Sequence, residues 1–165
     1  MSLTAWKAAL FGVLLLLSGC TSYMSSFQSP FFFKFSLQEL VLRNKSSSGL
    51  NCSPGGGGGG MGTGTGGIGR NESSFSKGES FSCQMTDAEQ FDEAKFIQRL
   101  KQSVETDLDE SKAKIISSEN LDGTSFYFEY AFKDIRGRVE ISGRKLPGDY
   151  YSLKADLAEK KGDAK

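Results

Sequence analysis

Between residues 125 and 157 side-chain character alternates almost residue by residue, a period of two that extended backbone satisfies and a helix does not. Phe126, Phe128, Tyr130 and Phe132 fall on one side, with Tyr127, Glu129 and Lys133 opposite. Asp134-Ile135-Arg136-Gly137 then reads as a turn. Val139, Ile141 and Gly143 follow as an inward set, against Arg138, Glu140, Ser142 and Arg144. Leu146-Pro147-Gly148-Asp149 turns the chain again, its Pro-Gly pair suiting a type II turn. Tyr151, Leu153, Ala155 and Leu157 complete the pattern against Tyr150, Ser152, Lys154 and Asp156. With a short strand over 113–118 and a turn over 120–123, these segments predict a four-stranded antiparallel meander. Matching apolar faces pairs Phe132 with Val139, Tyr130 with Ile141 and Phe128 with Gly143. Charge complementarity sets Glu140 opposite Lys154 and Arg138 opposite Asp156.

Upstream of the meander the period is 3.6. Thr86-Asp87-Ala88-Glu89 has capping-box spacing, and Phe91, Ala94, Ile97, Leu100, Val104 and Leu108 recur every three or four residues. The spacing predicts an amphipathic helix over 87–110. Its last turns carry Glu105, Asp107, Asp109 and Glu110, the wrong sign for a helix C-terminus, which reads as a solvated, fraying end. The acidic run lacks the loop and glycine of a calcium site, so no metal is expected. The fold class is therefore α+β: one long helix packed on a four-stranded antiparallel meander over 84–160, with 161–165 as a disordered tail. In layout alone, the α-β-β-β-β order resembles cystatin-like folds and the repeat unit of β-lactamase-inhibitor-like domains. Such layouts host unrelated functions.

Residues 44–83 are Ser/Gly-rich and predict a linker, with eleven of the twenty glycines between Gly55 and Gly69. Gly64-Thr65-Gly66-Gly67-Ile68-Gly69 fits G-x-G-x-x-G but has neither the preceding strand nor the following helix that phosphate binding requires, so no nucleotide is expected. Residues 31–43 are too apolar for a linker. Phe31, Phe33, Phe35 and Leu37 alternate as a strand would, while Ser36-Leu37-Gln38-Glu39 has capping-box spacing and Leu37, Leu40 and Val41 share a helical face. A strand near 31–36 or a short helix near 37–43, docked on the domain, satisfies this pattern. The aromatic patch suits core packing or a membrane interface.

The first residues give a place. Met1 to Lys7 contains one basic residue, and residues 8–17 carry no polar side chain. As a helix this run is about 15 Å long, half of a bilayer core, so it predicts a signal rather than a spanning anchor. It ends in Leu17-Ser18-Gly19-Cys20. This segment resembles bacterial lipoprotein precursors, whose lipobox is a Leu, two small residues and an invariant Cys. The resemblance implies cleavage after residue 19, a diacylglyceryl thioether on Cys20 and acylation of the new N-terminus. It implies a lipid anchor, with residues 20–30 as a flexible tether. Thr21, rather than Asp, after the cysteine favours the outer membrane by the family's Gram-negative sorting rule. With Cys20 lipidated, Cys52 and Cys83 remain. An even pair in an oxidising compartment is read as a disulfide, with two free thiols as the alternative.

Chemistry is narrowed by what is absent. There is no histidine, so catalysis by Ser-His-Asp or Cys-His groups and imidazole metal sites fall away. Twenty basic residues balance twenty acidic ones, which gives no electrostatic case for nucleic acid. The sequence assigns no catalytic residue, no metal and no cofactor. The expected role is a membrane-anchored, non-catalytic binding or scaffold module of the cell envelope, with the membrane and an envelope protein as partners. The alternatives are a purely structural lipoprotein and a small hydrolase built on a carboxylate pair. The candidate binding surface is the outward sheet face: Tyr127, Glu129, Arg138, Arg144, Tyr150 and Lys154, because Tyr and Arg dominate interface hot spots.

Overall fold

A computed structural model describes residues 29–45, 49–52 and 74–162. The signal segment 1–19, Cys20, the tether through residue 28, the glycine tract and residues 163–165 lie outside the described residues. In chain order the elements are α1 (Pro30–Lys34), α2 (Leu37–Asn44), β1 (Leu50–Asn51), β2 (Ser74–Met85), α3 (Glu93–Glu110), β3 (Lys114–Leu121), β4 (Ser125–Phe132), β5 (Ile135–Leu146) and β6 (Tyr150–Lys161). The six strands form one antiparallel sheet in the order β1-β2-β6-β5-β4-β3, curled into a half-barrel.

This corrects the predicted four-stranded meander under a single helix. The strand outside that meander with the longest pairing is β2, which lies within the segment read as linker up to Cys83. It pairs with β6 from Ser74↔Lys160 to Gln84↔Tyr150. β6, expected at an edge, is therefore flanked on both sides. Alternation is present in β2: Phe75, Phe81, Cys83 and Met85 point to the core face. Lys77 and Glu79 interrupt that apolar set, and Ser and Gly fill the outer face, so composition hides the period.

The two polar residues have a structural use. Lys77 Nζ donates to the carbonyl of Phe35 at 2.6 Å, and Glu79 accepts the backbone N–H of Leu37 at 2.7 Å. They hold the junction between α1 and α2, and Lys77 Nζ also sits 5.5 Å from the ring centres of both Phe32 and Phe35. Ser29 caps α1 by accepting from Phe32 N at 3.2 Å, with Pro30 at the first helical position, where its missing N–H costs nothing. Ser36 caps α2 by accepting from Glu39 N, as its capping-box spacing suggests. Residues 31–35 are thus helix and kink, not strand. Phe31, Phe32 and Phe35 are buried, while Phe33 is 59% exposed.

Helix α3 begins at Glu93, not near 87. Asp92 caps it by accepting from Lys95 N at 2.9 Å, whereas Asp87 makes a local turn with the N–H groups of Glu89 and Gln90. Phe96, Ile97, Leu100, Val104 and Leu108 form its buried face; Ala94 is exposed. The acidic end is helical to Glu110 and closes in a defined stop. Lys112 takes a positive φ of 58°, and Ala113 N donates to the carbonyl of Leu108 at 3.0 Å, a glycine-free version of a helix stop. Arg43 of α2 binds Asp107 through two hydrogen bonds of 3.0 and 2.5 Å, so one of the four acids is partnered rather than solvated.

Strand registers differ from the expectation as well. The β4–β5 connection is the two-residue turn Lys133-Asp134, which pairs Phe132 with Ile135, Tyr130 with Gly137, Phe128 with Val139 and Phe126 with Ile141. The register therefore sits four residues from that predicted, on the same faces. Between β5 and β6, Glu140 lies opposite Asp156, Ser142 opposite Lys154 and Arg138 opposite Ala158. The ion pairs form along each strand instead, Arg138 with Glu140 at 3.0 Å and Lys154 with Asp156 at 2.7 Å.

At the other end of β2, β1 pairs Leu50 with Met85 and Asn51 with Gln84. The next residues along are Cys52 and Cys83, at disulfide-bonding distance with Cα atoms 4.6 Å apart.

Candidate functional site

The helices all lie on one side of the sheet, and the described residues leave the other face uncovered. Outward positions follow from the registers: Ser74 and Ser76 on β2; Lys154, Asp156, Ala158 and Lys160 on β6; Arg136, Arg138, Glu140 and Arg144 on β5; Tyr127 and Glu129 on β4. This face divides into two groups. Arg138 is the centre of the first. Its guanidinium lies 4.0 Å from the Tyr127 ring centre, 3.7 Å from Glu129 and 3.0 Å from Glu140. Tyr127 Oη donates to Glu119 at 3.0 Å, a bond that raises the hydroxyl above its usual range, and Ser117 donates to Glu129 at 3.0 Å. Tyr127, Glu129 and Arg138 are brought together by the observed register, which sets Glu129 opposite Arg138; the expected register would have set Tyr127 opposite Arg144 and Glu129 opposite Ser142. Arg144, Tyr150 and Lys154 are not in that group. Arg144 lies six residues along β5 from Arg138, about 20 Å at strand rise, and Lys154 is paired with Asp156.

Two adjoining hollows mark the Arg138 half. One, of about 460 Å³, is lined by Ser74, Ile116, Glu129, Arg136, Arg138 and Lys160 among others. The second, of about 370 Å³, shares Ser76, Arg138 and Ala158 with the first and reaches Glu140 and Asp156. Arg136, Lys160, Ser74 and Ile116 escaped the sequence reading. Arg136 falls in the expected turn and Ser74 in the expected linker, although the Arg136/Arg138/Glu140 and Asp156/Ala158/Lys160 alternation carries their facing. Ile116 bulges out where the β3–β4 register shifts between Ile115 and Ser117, and it is 50% exposed.

Behind the first hollow, on the core face, lies a carboxylate with no counterpart in the alternation. Glu159 is 1% exposed. It accepts from Ser29 N at 2.9 Å, from Ser29 Oγ, and from Tyr130 Oη at 2.6 Å. Burial, together with the Glu159 charge, pushes the Tyr130 hydroxyl far above its usual range. Tyr130 lies against Gly137, where a Cβ would come within 2.5 Å of the ring and hydroxyl. The cluster fastens the N-terminal end of the described chain to the end of β6. Its carboxylate is held by donors, and the Phe31 ring packs edge-on 5.2 Å from that of Tyr130.

Among the described residues no three His, Cys, Asp or Glu side chains gather as metal ligands, and no helix is long and apolar enough to cross a membrane. No family model matches the chain, and neither a curated protein nor a solved structure matches it.

Proposed function

We propose that this chain is a lipid-anchored, non-catalytic binding or scaffold module of a bacterial cell envelope. The observation that carries the reading is Leu17-Ser18-Gly19-Cys20, whose leucine is the last of ten residues without a polar side chain. Two or more acyl chains on Cys20 would give stable attachment, since each buried methylene contributes about 0.8 kcal/mol and one chain alone is marginal. Thr21 favours the outer membrane if the host is Gram-negative. A binding role draws support from the uncovered sheet face, where Tyr127, Glu129 and Arg138 border two hollows. The absence of histidine, and the enclosure of Glu159 by its donors, weigh against catalysis.

Growth with labelled palmitate tests the reading. The wild-type chain is expected to take up label and partition with membranes, and Cys20→Ser to do neither. Equal labelling and partitioning of the two forms would remove the anchor.

A further inference from the structure

One end of the uncovered face carries a row of unbalanced cations. Lys114 is paired with Ala131, Ala131 with Arg136, Arg136 with Lys160, and Lys160 with Ser74, so these five residues form one rank across five strands, all facing outward. Arg136 and Lys160 stand directly opposite each other, an arrangement of like charges that weakens a sheet. The other like-charge pair on this face, Glu140 and Asp156, is balanced by Arg138 and Lys154. No carboxylate balances Arg136, Lys160 or Lys114 among the described residues. Acids at neighbouring strand positions are otherwise engaged: Glu129 with Arg138, Asp134 with Lys161, and Glu159 inside the core.

Two further features coincide there. The exposed large hydrophobic residues among those described are Phe33 and Ile116. Ile116 lines the hollow beside Arg136 and Lys160, whereas Phe33 belongs to α1 on the helix-covered side. This is also the end at which the chain arrives from Cys20. Ser29 follows Cys20 by nine residues, a reach of at most about 30 Å.

We infer that this end of the sheet, with Lys114, Arg136 and Lys160 around Ile116, docks on the anionic phosphodiester headgroups of a phospholipid surface. The inference rests on the anchored reading above for its choice of occupant. A membrane held within about 30 Å of Ser29 is the partner that the tether presents to this rank. Cations beside an exposed apolar side chain, Ile116, suit its interface. The neighbouring cation Arg138 is occupied by Glu129 and Glu140, so the rank itself carries the free charge.

The test uses the lipid-free mature chain from residue 21, which retains every described residue, sedimented with phosphatidylcholine vesicles with and without phosphatidylglycerol. Binding is expected only to the anionic vesicles, and it should weaken as salt is raised. Arg136→Ser with Lys160→Ser should lower the partition coefficient about fivefold for each cation removed. Arg144→Ser with Lys154→Ser, the same loss of charge at the other end of the face, should stay within about twofold of wild type. Failure to bind anionic vesicles, or an equal loss in both double variants, overturns the inference. So does selective release by inorganic phosphate at matched ionic strength, which would make the hollow a site for a free anion. Because this chain carries no lipid, its result is independent of palmitate labelling. Vesicle binding without labelling would keep the docking surface and remove only the anchor.

Discussion

Gly137→Ala distinguishes the observed strand register from the one that alternation suggests. In the expected register Gly137 belongs to a turn, away from the Tyr130 ring. In the structure it lies opposite Tyr130, and an added Cβ would approach Tyr130 Cε2 and Oη to 2.5 Å. Tyr130 is fully buried and its hydroxyl is fixed on Glu159, so the ring has no free space into which to swing. Overpacking a core by one methyl costs about 1–3 kcal/mol. If the ring is displaced, the hydrogen bond to a charged acceptor is lost too, at about 1.5–3 kcal/mol. The expected destabilisation is therefore about 3–5 kcal/mol, read in urea as a lower midpoint with an unchanged slope. Gly78→Ala is the control, because its Cβ would meet the end of the Asp156 side chain at 3.3 Å and the Ala155 carbonyl at an ordinary 4.0 Å. A Gly137→Ala midpoint within about 0.5 kcal/mol of wild type, a typical neutral surface substitution, would refute the register.

Three other outcomes follow from the same geometry. Glu159→Ala leaves the Ser29 N–H and the Tyr130 hydroxyl without their acceptor and should cost about 3 kcal/mol or more in urea unfolding, with Glu159→Gln milder. Reducing the Cys52–Cys83 link should lower the unfolding free energy by about 4 kcal/mol on the chain-entropy estimate for its 31-residue separation; an unchanged melting temperature in reductant would show that the link is absent. Burial pushes the Tyr130 and Tyr151 hydroxyls up, helped by the nearby charges of Glu159 and Glu93 respectively. Above pH 10 the unfolded chain releases protons that the folded chain keeps. Stability should thus be intact below pH 10 and fall above it by about 1.4 kcal/mol per pH unit for each tyrosine. Tyr151→Phe should halve that slope in alkaline unfolding curves.

Much of the sheet was legible because its physical signal is local. The faces of β4, β5 and β6 follow from alternation, and the structure keeps each of them. Register was not legible, because a shift of four residues preserves facing; the two-residue turn at Lys133-Asp134 and the Tyr130–Gly137 contact decide it. β2 was hidden because Lys77 and Glu79 occupy core-face positions, where they serve the α1–α2 junction rather than an apolar interior. The start of α3 was misplaced because Asp87 and Asp92 both have side chains that can cap, and only the second leads into helix. On the candidate face, alternation places Tyr127, Glu129 and Arg138 on one side, but their contact depends on the β4–β5 register and so was not legible. The rank from Lys114 to Ser74 depends on pairing across five strands, one of them unrecognised, and so could not be read from any single segment.

The claim on which the proposed role depends is that Cys20 becomes the acylated first residue of the mature protein. Intact-mass analysis of the protein extracted from membranes of its host tests it most directly. The account predicts a chain beginning at Cys20 whose excess mass equals a diacylglyceryl group, alone or with one amide-linked acyl chain. An unmodified chain, or one beginning at another residue, would contradict it.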